Sequence, residues 1–374
     1  ESIENSKIID YFSEKSEKTP SNSLIKTVLD YSLHYKFSRF TGQEVSMCVY
    51  SIAKLPSHFL NHAVLGVLLN SVHNKIEHFT SQGLSNVVYS LSSILTKLKQ
   101  AYKQGENSNV NVETVVRPDT YILVLRTVIA KMSCFNAQEV SNVLLGIAKI
   151  GFSIVHRGAV ESNGTSFVRL YAMLHEKVDA IAMKVLNNGS TQNVVNFLWA
   201  LVKIEADDVV TQMIPFQKAP KSWDIEKLGF IHTLFNKCMK EVKPVEISMV
   251  LWSLSRNVTF RYAYNNAQNK YDNFFGAIFS RLNSNKDLLN AQQLSTISMA
   301  LARLNYNNGN RNQTSVTYAP KNSILNLISR RASEIIDNLS FQDIENILIS
   351  LEKMDILQLG KQEYGYKKLL KKSV

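Results

Sequence analysis

Amide, aromatic and basic side chains recur at one fixed spacing in seven segments of the chain. The four positions concerned follow one another at i, i+4, i+7 and i+11, which places them on one face of an α-helix. An amide can hydrogen-bond the edge of a base, an aromatic ring can stack on a base, and Lys or Arg can pair with a phosphate. The pattern therefore predicts contact with a nucleic-acid strand.

The first of the four positions is Gln in six of the seven segments, and the last is Lys or Arg in six. The candidate binding residues are the amides Gln43, Gln82, Gln138, Gln192, Gln292, Gln342, Asn86, Asn142, Asn196 and Asn346, the aromatics Tyr50, Tyr89, Trp199 and Trp252, and the bases Lys54, Lys149, Lys203, Arg256, Arg303 and Lys353. We call these six bases the basic row.

Each residue type also has a structural interpretation. A Gln in the first helical turn can cap neighbouring backbone, and a Lys near a helix C-terminus is favoured by the macrodipole. Tyr50, Trp199 and Trp252 can equally be buried between repeats. A code that reads bases should vary between segments, so the recurring Gln and Asn favour a structural role. The net charge of 42 − 31 = +11 favours phosphate contact for the basic row.

The seven segments are copies of one internal repeat. They read FTGQEVSMCVYSIAKL from Phe40, FTSQGLSNVVYSLSSI from Phe79, FNAQEVSNVLLGIAKI from Phe135, GSTQNVVNFLWALVKI from Gly189, VKPVEISMVLWSLSRN from Val242, LNAQQLSTISMALARL from Leu289 and LSFQDIENILISLEKM from Leu339. Their starts are 39, 56, 54, 53, 47 and 50 residues apart. The shortest spacing suits a two-helix unit, and the longer ones indicate insertions.

Each copy has the pattern of a helix beginning, and we call this helix B. The second position holds a capping residue in six copies, namely Thr41, Thr80, Asn136, Ser190, Asn290 and Ser340. Glu44, Glu139, Gln293 and Asp343 follow three residues later, as in a capping box. The fifth copy has Lys243 at the cap position and Pro244 after it. One position within the apolar period is always small: Ser51, Ser90, Gly146, Ala200, Ser253, Ala300 and Ser350.

An apolar segment of helical length precedes each copy, and we call it helix A. These segments are Leu24–Phe37, Phe59–Ile76, Thr120–Met132, Phe167–Leu186, Ile225–Met239, Tyr271–Leu282 and Ser323–Ile336. The predicted fold is therefore all-α, an α-solenoid of about seven helix-turn-helix repeats over residues 24–354. Residues 1–23 form an N-terminal extension and residues 355–374 a basic tail. The polar stretches Gln100–Pro118, Arg157–Ser166, Glu205–Trp223, Asn257–Tyr271 and Asn305–Lys321 are interpreted as surface loops.

Nothing in the sequence predicts catalysis, a cofactor or a membrane span. It contains neither a Gly-rich phosphate loop nor a GxSxG elbow, and no apolar run reaches the roughly 18 residues that span a bilayer. His58 and His62 have a zinc-like i, i+4 spacing, but the Glu of HExxH is replaced by Phe59. The odd number of cysteines, three, argues against a disulfide framework.

The copies QEVSNVLLGIAKI from Gln138 and QNVVNFLWALVKI from Gln192 resemble the repeat of organellar proteins that end in a RAP domain. These are the FAST-kinase-like, octotricopeptide and apicomplexan heptatricopeptide groups, and the resemblance covers Phe40–Met354. It implies an RNA-binding solenoid of the mitochondrion, or alternatively of the plastid. Such a protein would act on ribosomal RNA or transcripts, with protein neighbours in a ribonucleoprotein such as the mitochondrial ribosome.

Two features depart from that family. No RAP-like segment follows Lys353, so activity attributed to a RAP domain is not carried over, and the start at Glu1 suggests a processed precursor. The alternative from another class is a HEAT-like scaffold that holds a peptide or a partner subunit.

Replacing Lys149, Lys203, Arg256 and Arg303 by Gln should weaken RNA binding, because phosphate contacts are lost. The helical content should not change. Fluorescence anisotropy with labelled RNA and far-UV circular dichroism measure the two quantities. An unchanged affinity would mean that the basic row is only a solvated face.

Overall fold

The structure is a computed structural model that describes residues 27, 39–60, 62–103, 117–152, 165–213, 223–304 and 319–354. Every regular element in these ranges is helical, and they include no β-strand. The all-α class is thus confirmed, whereas the seven-repeat solenoid stays a prediction. The extension 1–23, the tail 355–374 and all but Thr27 of the first predicted helix A lie outside the described residues.

The helices alternate along the chain largely as the repeat predicts. In chain order they are α1 Gly42–Ile52, α2 His62–Lys75, α3 Ser81–Lys103, α4 Pro118–Lys131, α5 Ala137–Ile150, α6 Thr165–Asn188, α7 Thr191–Glu205, α8 Asp208–Met213, α9 Phe230–Thr233, α10 Pro244–Arg256, α11 Val258–Asn266, α12 Asp272–Ser284, α13 Ala291–Arg303, α14 Ala319–Glu334 and α15 Phe341–Lys353. The B helices are α1, α3, α5, α7, α10, α13 and α15.

The predicted caps start the B helices. The Thr41 hydroxyl accepts from the Glu44 N–H at 3.3 Å, while the Glu44 carboxylate accepts from the Thr41 N–H at 2.7 Å. Asn136, Ser190, Asn290 and Ser340 make the same reciprocal pair with the residue three positions on. Thr80 accepts from the Gly83 N–H. In the fifth copy the Glu246 carboxylate accepts from the Lys243 N–H at 2.7 Å. These bonds satisfy backbone donors that a helix N-terminus otherwise leaves unpaired.

The described chain divides into two compact units, residues 1–135 with 142–177 and residues 136–141 with 178–374. In the first unit α1 packs against α2 and α3, and α4 packs against α2 and α3. In the second unit each B helix contacts the next, α7 with α10, α10 with α13 and α13 with α15. On the other side of this row α12 packs against α14.

A small side chain lies where neighbouring B helices meet. The small residue of the repeat is buried in every copy except the first, where Ser51 is exposed. At Gly146 of α5, an added Cβ would lie 2.7 Å from Val88 Cγ1 and 2.9 Å from the Val88 carbonyl oxygen of α3. The two backbones are therefore too close for any larger residue at this position.

Two interpretations of the sequence were wrong. Residues 257–271, predicted to be a loop, contain α11, and the predicted loop 205–223 contains α8. Helix α11 forms because Asn257 caps it through the Phe260 N–H at 2.9 Å, and Phe260 and Tyr264 bury one face at i, i+4. The repeat pattern did not predict this helix, because its segment lies between two copies and only Phe260 and Tyr264 bury their side chains in it.

The fifth helix A also differs from the prediction over 225–239. Residues 225–229 form turns that end at Gly229 with φ of 85°, and α9 then leads into a π-helical turn over Leu234–Cys238. Only Gly adopts that backbone conformation without strain, so the helix begins after it. Of the other predicted loops, Lys103 still belongs to α3, and Pro118, Thr165 and Ala319 begin helices. The remaining parts, 104–116, 153–164 and 305–318, are outside the described residues.

Replacing Gly146 by Ala should lower the free energy of unfolding by about 1–3 kcal/mol, because the new methyl group overpacks against the backbone of Val88. Gly66 is the matched control. It lies exposed in α2, and a Cβ there meets nothing within 4 Å, so Gly66→Ala should stabilise by about 0.5–1 kcal/mol through helix propensity. Chemical denaturation measures both, and equal effects of the two substitutions would contradict close packing of α3 and α5.

Candidate nucleic-acid interface

Several Lys and Arg side chains of the A helices donate hydrogen bonds that connect one repeat to the next. Within the first unit, the Lys131 ammonium of α4 donates to the carbonyls of Phe79 at 2.9 Å and Glu77 at 3.2 Å. Lys75 of α2 donates in the same way to the Phe40 carbonyl. Each base thus ties helix A to the turn that precedes the B helix of the repeat before it.

The second unit uses the same contact. Lys237 donates to the carbonyls of Asn187 and Gly189, each at 2.8 Å. Arg281 donates to Val242 at 3.1 Å, and Arg331 to Asp287 at 2.7 Å and Leu289 at 3.3 Å. These five bases have a structural role.

The sequence analysis missed these structural bases, although they leave a signal. Lys75 and Lys131 lie four residues before the start of their copy, and Lys237 lies five before. In the last two copies Arg281 and Arg331 lie eight residues before. Positions four and eight are one helical turn apart on one face, so a long base reaches the same turn from either.

The basic row, in contrast, is free of carboxylate partners. Lys54, Lys149, Arg256 and Lys353 are exposed, and Lys203 and Arg303 are half-buried. Across the described ranges, none of the six side chains makes a hydrogen bond or an ion pair. In the second unit Lys203, Arg256, Arg303 and Lys353 lie in the last turns of B helices that contact one another in sequence. Their charges are therefore presented side by side.

Three bases of the row lie against aromatic rings. The Lys54 ammonium is 4.8 Å from the Tyr50 ring centre, and the Lys149 ammonium is 5.9 Å from that of Tyr89. The Arg256 guanidinium is 5.7 Å from the Trp252 ring. Such contacts are worth about 0.5–1 kcal/mol at exposed sites, which orients the cation without neutralising it.

The aromatic positions differ in exposure. Tyr50 is exposed, and Tyr89, Trp199 and Trp252 are half-buried. The rings of Trp199 and Trp252, on the neighbouring helices α7 and α10, lie 5.7 Å apart at an interplanar angle of 35°. These two Trp residues therefore pack against each other between repeats while part of each ring stays accessible.

The amides divide into an outer and an inner set. All six Gln residues of the pattern are exposed, and Gln342 donates to Glu345 at 3.0 Å and Asn346 at 3.3 Å. Asn86, Asn142 and Asn346 are half-buried, and Asn196 is buried. The Asn346 amide donates to the Ser295 hydroxyl on the neighbouring helix at 3.2 Å. The Gln set thus faces solvent, and at least one Asn joins two repeats.

Desolvation and nearby positive charges lower the pKa of two side chains of the basic row. Desolvation lowers the pKa of the Lys149 ammonium, although its side chain keeps contact with solvent. Desolvation and then the positive charges of Arg256 and Arg261 lower the pKa of the Arg303 guanidinium. Arg261 belongs to α11, a helix that the repeat pattern did not predict. The sequence analysis missed this residue, because it lies outside the repeated segment.

The described residues give little support for metal binding, thiol chemistry or a membrane span. No group of three or more His, Cys, Asp or Glu that could hold a metal ion occurs among them, and the side chains of His58 and His62 fall outside them. Desolvation by burial raises the pKa of the Cys48 and Cys238 thiols, which disfavours the thiolate. Within the same ranges, every helix is too short or too polar to cross a lipid bilayer.

The sequence matches no protein-family model, and no curated protein is detectably similar to it. The proposals below therefore depend on the residues and on their arrangement in the fold.

Substitution of a structural base of an A helix should lower stability, whereas substitution of a residue of the basic row should weaken RNA binding. Lys237→Met should lower the free energy of unfolding by about 1 kcal/mol, since partly exposed charge-assisted bonds are lost, and leave RNA affinity unchanged. Lys353→Gln should change stability by less than about 0.5 kcal/mol. It should weaken RNA binding about fivefold at 0.1 M salt, the share of one phosphate contact. Denaturation and anisotropy titrations of both variants test this, and equal losses of affinity would refute the division.

Proposed function

We propose that this chain is a non-catalytic, RNA-binding helical-repeat protein. The observation that carries the proposal is the basic row of the second unit, in which consecutive B helices each present one unpaired base in the last turn. Unpaired cations arranged in line match the regular charge of a nucleic-acid backbone, and each releases counterions when it meets a phosphate.

The pattern favours a single strand over a duplex. Six copies offer an exposed Gln, and two of them also place an aromatic ring between that Gln and the basic residue, with Tyr50 in the first copy and Trp199 in the fourth. The nucleobases of a single strand can reach such groups, since their edges and faces are accessible. The deep major groove of duplex RNA, in contrast, is closed to side chains. One repeat for one nucleotide is a register that other helical-repeat proteins use to read RNA.

The resemblance of the copies at Gln138 and Gln192 to organellar repeat proteins supports a mitochondrial location, with the plastid as the alternative. It also supports ribosomal RNA or transcripts as the target, within a ribonucleoprotein such as the mitochondrial ribosome. Protein neighbours in such an assembly would cover surfaces that the RNA leaves free.

A HEAT-like scaffold is the second candidate, favoured by apolar residues on the same face. Met47, Val245 and Ile349 occupy positions of the four-residue pattern and are 58%, 47% and 42% exposed. A groove lined by such residues would bury apolar surface of a peptide or protein partner, and salt would weaken that contact little.

Titration of the chain with labelled single-stranded RNA, duplex RNA and DNA across a salt series separates the two candidates. We expect tightest binding to single-stranded RNA, with a log–log salt slope of about −3 or steeper, because the second unit offers four phosphate contacts of about 0.7 each. The variant with all six bases of the row changed to Gln is the control. A shallow slope, or equal binding by that variant, would contradict the proposal and favour the scaffold.

A further inference from the structure

We propose that Arg256, Arg261 and Arg303 form a site for a backbone phosphate of single-stranded RNA, and we call these three residues the arginine cluster. This inference rests on the proposed function and adds to it a specific site. Two of its members belong to the basic row. The third, Arg261, comes from α11, which has no counterpart in the repeated segment.

The three arginines lie on helices that pack together. Arg256 is the last residue of α10, and Arg303 is the last residue of α13, which packs along α10. After the single residue Asn257 the chain enters α11, which also packs against α10. The charges of Arg256 and Arg261 both act on the Arg303 guanidinium.

Helix α11 is held firmly in this position. The Asn257 amide donates to the Trp223 carbonyl at 3.1 Å, and its oxygen accepts from the Phe260 N–H at 2.9 Å and the Thr259 hydroxyl at 2.6 Å. The Phe260 ring packs edge-on against Tyr271, with the ring centres 5.1 Å apart. These contacts fix α11, so the backbone position of Arg261 is set before any ligand binds.

The cluster has more positive charge than its surroundings neutralise. None of the three arginines has an ion-pair partner in the part of the chain that the structure describes. The Nε atom of Arg261 is buried and makes no hydrogen bond there. Like charges held close together repel one another unless a counter-charge lies among them. An anion that contacts the three guanidinium groups would supply that counter-charge.

A nucleic-acid phosphate fits this anion better than a protein carboxylate does. Guanidinium groups bind phosphate oxygens through paired N–H donors. The Trp252 ring lies 5.7 Å from the Arg256 guanidinium and next to the Trp199 ring. An aromatic surface beside a phosphate site allows the nucleobase of the same nucleotide to stack on it.

The test compares two variants that remove the same charge. R256Q/R261Q/R303Q changes the cluster, whereas K240Q/K243Q/K286Q changes bases near the A–B turns, at the opposite end of the B helices. Affinity for single-stranded RNA is measured by anisotropy at 0.1 M salt. We expect a loss of about 100-fold for the first variant, because three charge-assisted contacts to the phosphate are lost, and less than about fivefold for the second.

Two further measurements keep structural loss apart from lost binding. The thermal midpoint of the cluster variant should equal or exceed that of the wild type, since like charges are removed, and a fall beyond that of the control would mark the arginines as structural. R256K/R261K/R303K keeps the charge but not the paired donors, so its affinity should lie between those of the wild type and the Gln variant.

The outcomes distinguish this site from the general proposal. Equal losses in the two triple variants, with RNA bound by the wild type, would overturn the arginine cluster and leave the proposed function standing. If the wild type bound no RNA, both would fall. A loss confined to the cluster variant would support both.

Discussion

The rest of the structure depends on the close packing of neighbouring B helices at one small residue of the repeat. At Gly146 the distance to Val88 leaves no room for a Cβ, and in the second unit Ala200, Ser253, Ala300 and Ser350 are all buried. In the second unit, where each B helix contacts the next, residues at equal positions of successive repeats come close together, as Trp199 and Trp252 do. The one Lys or Arg residue that each of these repeats contributes to the basic row thereby becomes part of a line of positive charges.

The positive charges of this protein perform two tasks, which their environments distinguish. Bases of the A helices donate to backbone carbonyls of the preceding turn and fix one repeat on the next, as Lys131 and Lys237 do. The six residues of the basic row lie at the other end of the repeat unit, and their side chains have no carboxylate or carbonyl partner among the described residues. A net charge of +11 therefore does not measure the charge available to a ligand.

Much of the fold could be predicted from the sequence because its signals are local and repeated. The N-caps at Thr41 and Ser340 need only residues three positions apart, and the B helices follow the apolar period. Helix α11 was missed because its apolar face holds only Phe260 and Tyr264 among polar neighbours. Gly229 and the π-helical turn could not be read from periodicity, since both interrupt it.

The candidate site was predictable to a lesser degree. Five residues of the basic row lie on B helices as expected, whereas Lys54 lies in the turn after α1, and the Gln residues face solvent. Burial of Asn196 and the bond from Asn346 to Ser295 depend on the distance between helices, which the sequence of one helix does not contain. Arg261 enters only because an insertion folds back onto α10, a tertiary contact without a sequence signature.

The central claim is that the unpaired bases of the B helices, and not those near the A–B turns, contact RNA. Lysine acetylation footprinting, read by mass spectrometry with and without single-stranded RNA, tests it residue by residue. RNA should protect Lys54, Lys149, Lys203 and Lys353, and leave the modification of Lys240, Lys243 and Lys286 unchanged. Uniform protection of both groups, or protection of the second group alone, would contradict the claim.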